Sequence, residues 1–478
     1  MSFKKAAISG VFWSSVQQFS GQIIGFFVSI VLARLLLPEE FGLIGIMAIF
    51  ISLGVSIASS GFNQSIIRMP EPDDIDYSTI FIFNLIVSIV IYIIIFISAP
   101  YIANFFNQNI LIKLIRWYSI IIPIQALGMM QTSRLTKNMD FKTQLKVGIP
   151  SLVFGSIIGI TLAFSGYGVW SLVWSGIAQT TLSVILLWFF SRWRPIWVFD
   201  IIKFKKHWSF GYKLLISSLL NTIFSNVYAI LIGKYFHPAQ VGYFQRANSL
   251  KQLPVDNISS VLNKVTFPLF SKIQDDNIRL KNIYKRIMKM VIFIVAPTLL
   301  LMGVLAEPLF RFLFSERWLP AVPYFQILCI NGLFFPIHSY NLNVLTVKGL
   351  SGLFLRLEIV KKVQFIIILF ISFQFGIYGL LIGGVINSFL ALFINSYFSG
   401  KYINYTIFHQ LKDLTPALVS GIVVSIIVYY VDIYLTHSLH DLSRLVLGSA
   451  TGIIFYVLIA FIFKFEALRE LINIIKSR

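Results

Sequence analysis

The chain has 478 residues, of which 57% are apolar and 12% charged, with a formal net charge of +20 and a mean hydropathy of +0.82. That balance excludes a soluble globular enzyme and describes an integral membrane protein. The single cysteine, Cys329, excludes an intrachain disulfide and a cysteine-based metal cluster.

The first predicted element is the apolar run that follows Lys4 and Lys5 and reaches Leu37. It is too long for a signal peptide and no small-residue cleavage site follows, so it reads as a retained transmembrane helix. About 20 mostly apolar residues cross a bilayer. Fourteen stretches qualify: 10–35, 41–61, 79–99, 114–132, 147–165, 169–190, 211–235, 242–268, 287–306, 321–346, 359–375, 378–399, 414–434 and 443–463. Between them, 29 lysines and arginines fall on the side of the N-terminus and eight on the other. The positive-inside rule then expects both termini in the cytoplasm. Attraction to anionic lipid headgroups accounts for much of the remaining positive balance, so no nucleic-acid partner is expected.

Three of these spans carry a polar stripe. On the first, Ser14, Gln18, Gln22, Gly25 and Ser29 recur at intervals of three and four. Ser218, Asn221, Ser225 and Tyr228 do so on the seventh, and Gln245, Asn248, Gln252, Asp256, Ser259 and Asn263 on the eighth. An unpaired polar group facing hydrocarbon costs several kcal/mol. Such stripes must therefore face protein or a water-filled cavity. The glycine pairs Gly21/Gly25, Gly155/Gly159 and Gly448/Gly452 are assigned instead to close helix packing.

An internal duplication orders the spans. Arg34, Pro38 and Gly42 match Lys234, Pro238 and Gly242 at a constant offset of 200. Pro123-Ile124 matches Pro336-Ile337, and Gly166-Tyr167-Gly168 matches the Gly376–Gly379 segment with one insertion. The expected fold is all-α: two six-helix lobes, 1–200 and 201–412, related by a pseudo-two-fold along the membrane normal, with a site between them, and two further helices in 413–478.

Ionisable residues within or beside spans are the candidates for function. The cations are Arg34, Arg68, Lys234, Arg246, Lys251 and Lys264; the only acid well inside a span is Asp256. This sign favours an anionic cargo, a phosphate or pyrophosphate, over a cationic one. For Arg34, Lys234 and Arg246, near span ends, snorkelling to headgroups is the competing role. Lys251 and Asp256 are expected to form an internal ion pair, and Glu358 and Lys362 a structural one. No phosphate-binding loop, zinc-protease or serine-hydrolase motif occurs, and His437 and His440 lack a third ligand, so neither cofactor nor metal is expected. Transport must then draw on an ion gradient, the membrane potential or consumption of the product.

Several segments carry a family resemblance. FWSSVQQFSGQIIGFFVSIVLARLLLPEEFGLIGIMAIF, SGFNQSIIR, DYSTIFIFNL, LTKNMDFK, SRWRP, YFQRANSLKQLPVDNISSVLNKVTFPLFSKIQDD and EPLFRFLFSERWLPAVP resemble, in that order, the WzxC-type polysaccharide exporters of the MOP superfamily. The resemblance covers the chain to about residue 415. It implies fourteen helices, alternating access, and an undecaprenyl-pyrophosphate-linked oligosaccharide as cargo, flipped across the bacterial cytoplasmic membrane for extracellular or capsular polysaccharide assembly. It also implies membrane lipids and polysaccharide polymerase machinery as partners, and Arg34, Arg68, Lys234 and Arg246 as holders of the pyrophosphate. The rival readings are a MATE-like small-molecule exporter, which the scarcity of buried carboxylates disfavours, and a lipid II flippase. A membrane glycosyltransferase would need acids or a large outer loop, which this chain lacks.

Overall fold

A computed structural model describes residues 3–59 and 61–476, with side chains described except at 3–8, 11, 258–269, 272, 351 and 474–476. The chain divides into two compact units, Met1–Gly242 and Tyr243–Arg478. The first holds α1 (Phe3–Leu35), α2 (Pro38–Ser59), α3 (Phe62–Arg68), α4 (Asp74–Phe106), α5 (Ile110–Tyr118), α6 (Ile121–Lys137), α7 (Phe141–Phe164), α8 (Val169–Phe190) and α9 (Ile201–Tyr235). Helix α10 (Pro238–Lys272) starts in the first unit and continues in the second. The second unit adds α11 (Asn277–Val304), α12 (Ala306–Phe314), α13 (Val322–Val347), α14 (Ser351–Phe373), α15 (Gly376–Ile403), α16 (Ile407–Val431), α17 (Asp441–Ile462) and α18 (Glu466–Lys476).

All fourteen predicted spans fall on helices, the fourth being broken at Ser119–Ile120 between α5 and α6. Among the described residues, twelve helical stretches are long and apolar enough to cross a membrane by themselves. The two others are α10 and α14. Arg356, Glu358, Lys361 and Lys362 crowd one half of α14, and the polar stripe lowers the hydropathy of α10. Both are spans only a protein bundle could shelter.

Local chemistry explains where helices begin. Asp73 and Asp76 form a reciprocal capping box at the start of α4, Asp76 N–H donating to Asp73 Oδ1 at 2.8 Å and Asp73 N–H to Asp76 Oδ2 at 3.1 Å. Asp140, Asp200 and Asp276 cap α7, α9 and α11 by accepting from N–H groups of the first turn. Prolines open α2 and α10, where no N–H is needed. The Lys203 ammonium, with the Asp76 N–H, holds the Asp73 carboxyl down to about 2. A carboxyl more acidic in the folded chain stabilises above its unfolded value, near ~3.9, and loses that contribution as pH falls through the folded one. The melting temperature should therefore drop as pH is lowered from about 4 to about 2, and Asp73→Asn should flatten that part of the profile. An unchanged slope in the variant would exclude this cap as its source.

Packing within each unit follows the small residues. On α7, Cβ atoms at Gly155 and Gly159 would come within 2.8 Å of the Ser175 carbonyl oxygen and Ser175 Cβ on α8, whose Oγ donates to the Gly155 carbonyl at 2.8 Å. Gly448 and Gly452 of α17 similarly admit Leu305 and Leu301. Gly21 and Gly25 do not share this role: among the described residues, no neighbouring atom would lie within 4 Å of a Cβ at either. The α1–α7 contact is filled by bulk instead, Leu32 and Leu36 against Ala163 with Val28 and Ile160 beside them. In the second unit the amides of Asn341 (α13) and Gln410 (α16) exchange hydrogen bonds of 3.0 and 3.1 Å, fully buried, and Ser396 of α15 joins them. After α16 the chain makes a single π turn, Asp432–Thr436. Arg444 of α17 donates to that turn through Nε to Asp432 Oδ1 at 2.9 Å and Nη2 to Oδ2 at 2.7 Å, with both side chains almost wholly buried.

Helix α9 packs on α2, α3 and α4. Ser218 Oγ meets Ser56 Oγ at 2.7 Å, and Gly233 lets Ile46 and Phe106 approach. Packing thus groups α9 with the helices before it, whereas the sequence alone expects the second lobe to begin at residue 201.

Candidate functional site

Three predicted cations lie in the first unit. Arg34 stands exposed in the last turn of α1. Arg68, also exposed, ends α3 with its guanidinium 4.5 Å above the Phe210 ring. A buried polar chain anchors that short helix: Ser65 Oγ to His207 Nδ1 at 2.8 Å, and His207 Nε2 to Asp76 Oδ1 at 3.3 Å. Lys234 donates to the Phe105 carbonyl at 2.6 Å and sits 4.6 Å from the centre of that ring. Its charge therefore lies against the carbonyl end of α4, where a cation is favoured.

The polar faces of α1 and α9 are largely uncovered. Gln18 and Asn221 are exposed and Gln22 is half-buried, and the open space around Gly21 and Gly25 continues the α1 face. Not every stripe residue is free: Ser29 and Ser225 bond back to the Phe26 and Thr222 carbonyls of their own helices.

In the second unit the α10 stripe divides. Gln252 and Asp256 are exposed, while Gln245 and Asn248 are half-buried, Asn248 Nδ2 donating to Gln252 Oε1 at 3.2 Å. Arg246 lies over Phe314 and Trp318, 5.0 and 5.3 Å from their ring centres, a stacked arrangement that suits a planar guanidinium. Lys251 turns inward and is 8% exposed; its stem runs over Gly332 of α13, where a Cβ would lie 3.1 Å from Lys251 Cδ. The expected ion pair between Lys251 and Asp256 does not form among the described residues. Positions five apart diverge by about 140° on a helix, which leaves one side chain in the bundle and the other outside it. Likewise Glu358 pairs with Lys361 rather than with Lys362. The side chains of Asn263 and Lys264 lie outside the described residues.

Sequence reasoning overlooked a second class of polar surface. Gln125, Thr132 and Thr136 on α6, and Gln179 and Ser183 on α8, line one cavity. The signal was present as spacings of four and seven, hidden within spans that are otherwise apolar.

Comparison with known proteins places this architecture. A family model described as "Polysaccharide biosynthesis protein" matches residues 31–323, more than half of the chain. The teichuronic acid biosynthesis protein TuaB of Bacillus subtilis (strain 168) is 25% identical over 354 residues, covering 74% of this chain and 73% of that protein. The lipopolysaccharide biosynthesis protein WzxC of Escherichia coli (strain K12) is 24% identical, covering 82% of each. Among solved structures, lipid II flippase MurJ in an inward closed conformation superposes with a TM-score of 0.78 at 16% identity, over 97% of this chain and 100% of that one. The last likeness is one of fold. The family match and the relatives agree with it, and this multi-pass membrane chain belongs to the polysaccharide biosynthesis protein family.

Proposed function

We propose that the protein is a flippase that carries undecaprenyl-pyrophosphate-linked oligosaccharide across the bacterial cytoplasmic membrane by alternating access, for extracellular or capsular polysaccharide assembly. Family membership is the observation that carries this reading. The chemistry of the exposed helix faces supports it. Sugar hydroxyls and a diphosphate need a wet polar path, and α1, α9 and α10 each present uncovered amides. Exposed Arg34 and Arg68 supply charge for the pyrophosphate, and Lys234 and Arg246 are assigned the same role. The boundary between repeated lobes falls near residue 200 and both termini face the cytoplasm, where the polymerase machinery's precursors are made. A dianion moving outward across 100 mV gains about 4–5 kcal/mol, so no nucleotide hydrolysis is required.

Deletion followed by analysis of lipid-linked oligosaccharides tests the reading: a complete repeat unit should accumulate on the cytoplasmic leaflet. Accumulation of a truncated glycan would identify an enzyme instead. The anion site has its own test. Arg34→Glu and Lys234→Glu should each stop polymer export while folded protein still reaches the membrane, and normal export by both would remove these residues from the site.

A further inference from the structure

Inside the first unit, α2, α3, α6, α7 and α8 wall a cavity of about 580 Å³. That volume falls in the ~300–1,000 Å³ range of small-molecule sites. No acidic, basic or histidine side chain lines it among the described residues. Its polar groups fall into two sets. Ser59, Thr132, Ser133, Thr136 and Ser151 donate their hydroxyl protons to carbonyls of their own helices, at 2.7–3.1 Å. Each therefore offers the cavity acceptor capacity only, reduced at Thr136 because its Oγ1 already accepts from Gln144 Nε2 at 2.9 Å. Gln125, Gln179, Thr180 and Ser183 make no hydrogen bond within the protein among the described residues, so both donors and acceptors remain available there. Asn63 Oδ1 is buried and without a partner.

Four cations lie near in sequence: Arg68, next to Ile67, lies over the Phe210 ring, and Lys146, two residues before Gly148, lies 5.9 Å from the centre of the Phe190 ring. Lys137, on α6, donates to the Ile67 and Met69 carbonyls at the end of α3. Arg134 reaches Asp74 at 3.8 Å and lies 5.6 Å from the centre of the Tyr77 ring. An anion entering the cavity would meet no countercharge on the lining side chains. A hydrocarbon tail would strand the amides and hydroxyls, at a cost of about 1–3 kcal/mol for each group left unpaired. A neutral polyol fits both constraints, because every hydroxyl of a sugar both donates and accepts. Val55, Met129 and Leu187 supply apolar wall for the C–H faces of such rings.

We propose that this cavity binds uncharged pyranose units of the cargo's glycan, apart from the cations that hold its diphosphate. The proposal rests on the flippase reading for its biological substrate, and on the wall chemistry alone for its ligand class. The test uses the full-length protein in detergent with methyl hexopyranosides and with inorganic pyrophosphate as probes, binding being read by saturation-transfer NMR. Wild-type protein should bind at least one neutral glycoside saturably. Gln125→Leu with Gln179→Leu should weaken that binding about tenfold or more, since each removed neutral hydrogen bond is worth up to roughly tenfold. Thr180→Val, nearly isosteric, should weaken it a few-fold in a protein of unchanged melting temperature. Pyrophosphate binding should be equal in all of these, and Arg34→Glu should leave glycoside binding intact. No saturable glycoside binding, binding indifferent to the three substitutions, or pyrophosphate binding lost with them would each overturn the proposal. The flippase reading fails separately, through undisturbed polymer export on deletion, and glycoside binding that survives that failure still upholds the cavity as a saccharide site.

Discussion

Arg444→Leu should destabilise the second unit by about 3–5 kcal/mol, because it leaves the Asp432 carboxylate buried with its main countercharge gone. The guanidinium now makes two parallel bonds to that carboxylate with both partners nearly excluded from solvent, and Thr436 can replace only one of them. For a unit of this size the loss corresponds to a melting shift of roughly 6–20 °C. Cys329 provides the readout: it is the only cysteine, lies 2% exposed on α13 in the same unit, and should react with a thiol-directed dye only once that unit opens. The double variant Arg444→Met/Asp432→Leu removes both charges and should recover most of the loss. A shift below about 1 kcal/mol for the single variant would place the pair with ordinary solvated bridges.

Gly42→Val and Gly242→Val should each disrupt the first unit, and their effects should not add. The two motifs that match at an offset of 200 meet through their first turns. A Cβ on Gly42 would lie 2.6 Å from the Pro238 carbonyl carbon and 3.2 Å from Gly242 N; one on Gly242 would lie 3.0 Å from the Pro38 carbonyl carbon and 3.2 Å from Gly42 N. The contact is reciprocal, as in an interface between identical copies. The obstacle is backbone on both sides, so no side chain can swing away, and overpacking of at least about 1–3 kcal/mol is expected from either change. Once one valine has parted the turns, the second meets space already opened, and the double variant should cost clearly less than the sum. Strict additivity in thermal unfolding would mean that the two glycines serve separate contacts.

Much of this architecture was legible in the residues. The spans were readable because an apolar run of bilayer length has few other fates; the offset-200 match was readable too, but that its two glycines meet was not. Side-chain direction was not. Periodicity placed Lys251 beside the α10 stripe, yet the void above Gly332 draws its stem into the bundle. Glu358 could reach Lys361 or Lys362 equally well by spacing, and rotamer and packing choose the former. Gly21 and Gly25 have the spacing of a packing motif, and only the leucines further along α1 reveal that its contact with α7 is made by bulk. The neutral cavity went unread because seven hydroxyls and three amides dispersed over five helices carry no charge to draw attention.

That α9 packs on α2, α3 and α4 has a consequence for how the molecule is made. A nascent chain that has delivered its first eight helices still lacks one partner of α2, and Ile46 and Ser56 wait in the bilayer for a segment not yet translated. Closure of the first unit should therefore wait until the ribosome has delivered α9.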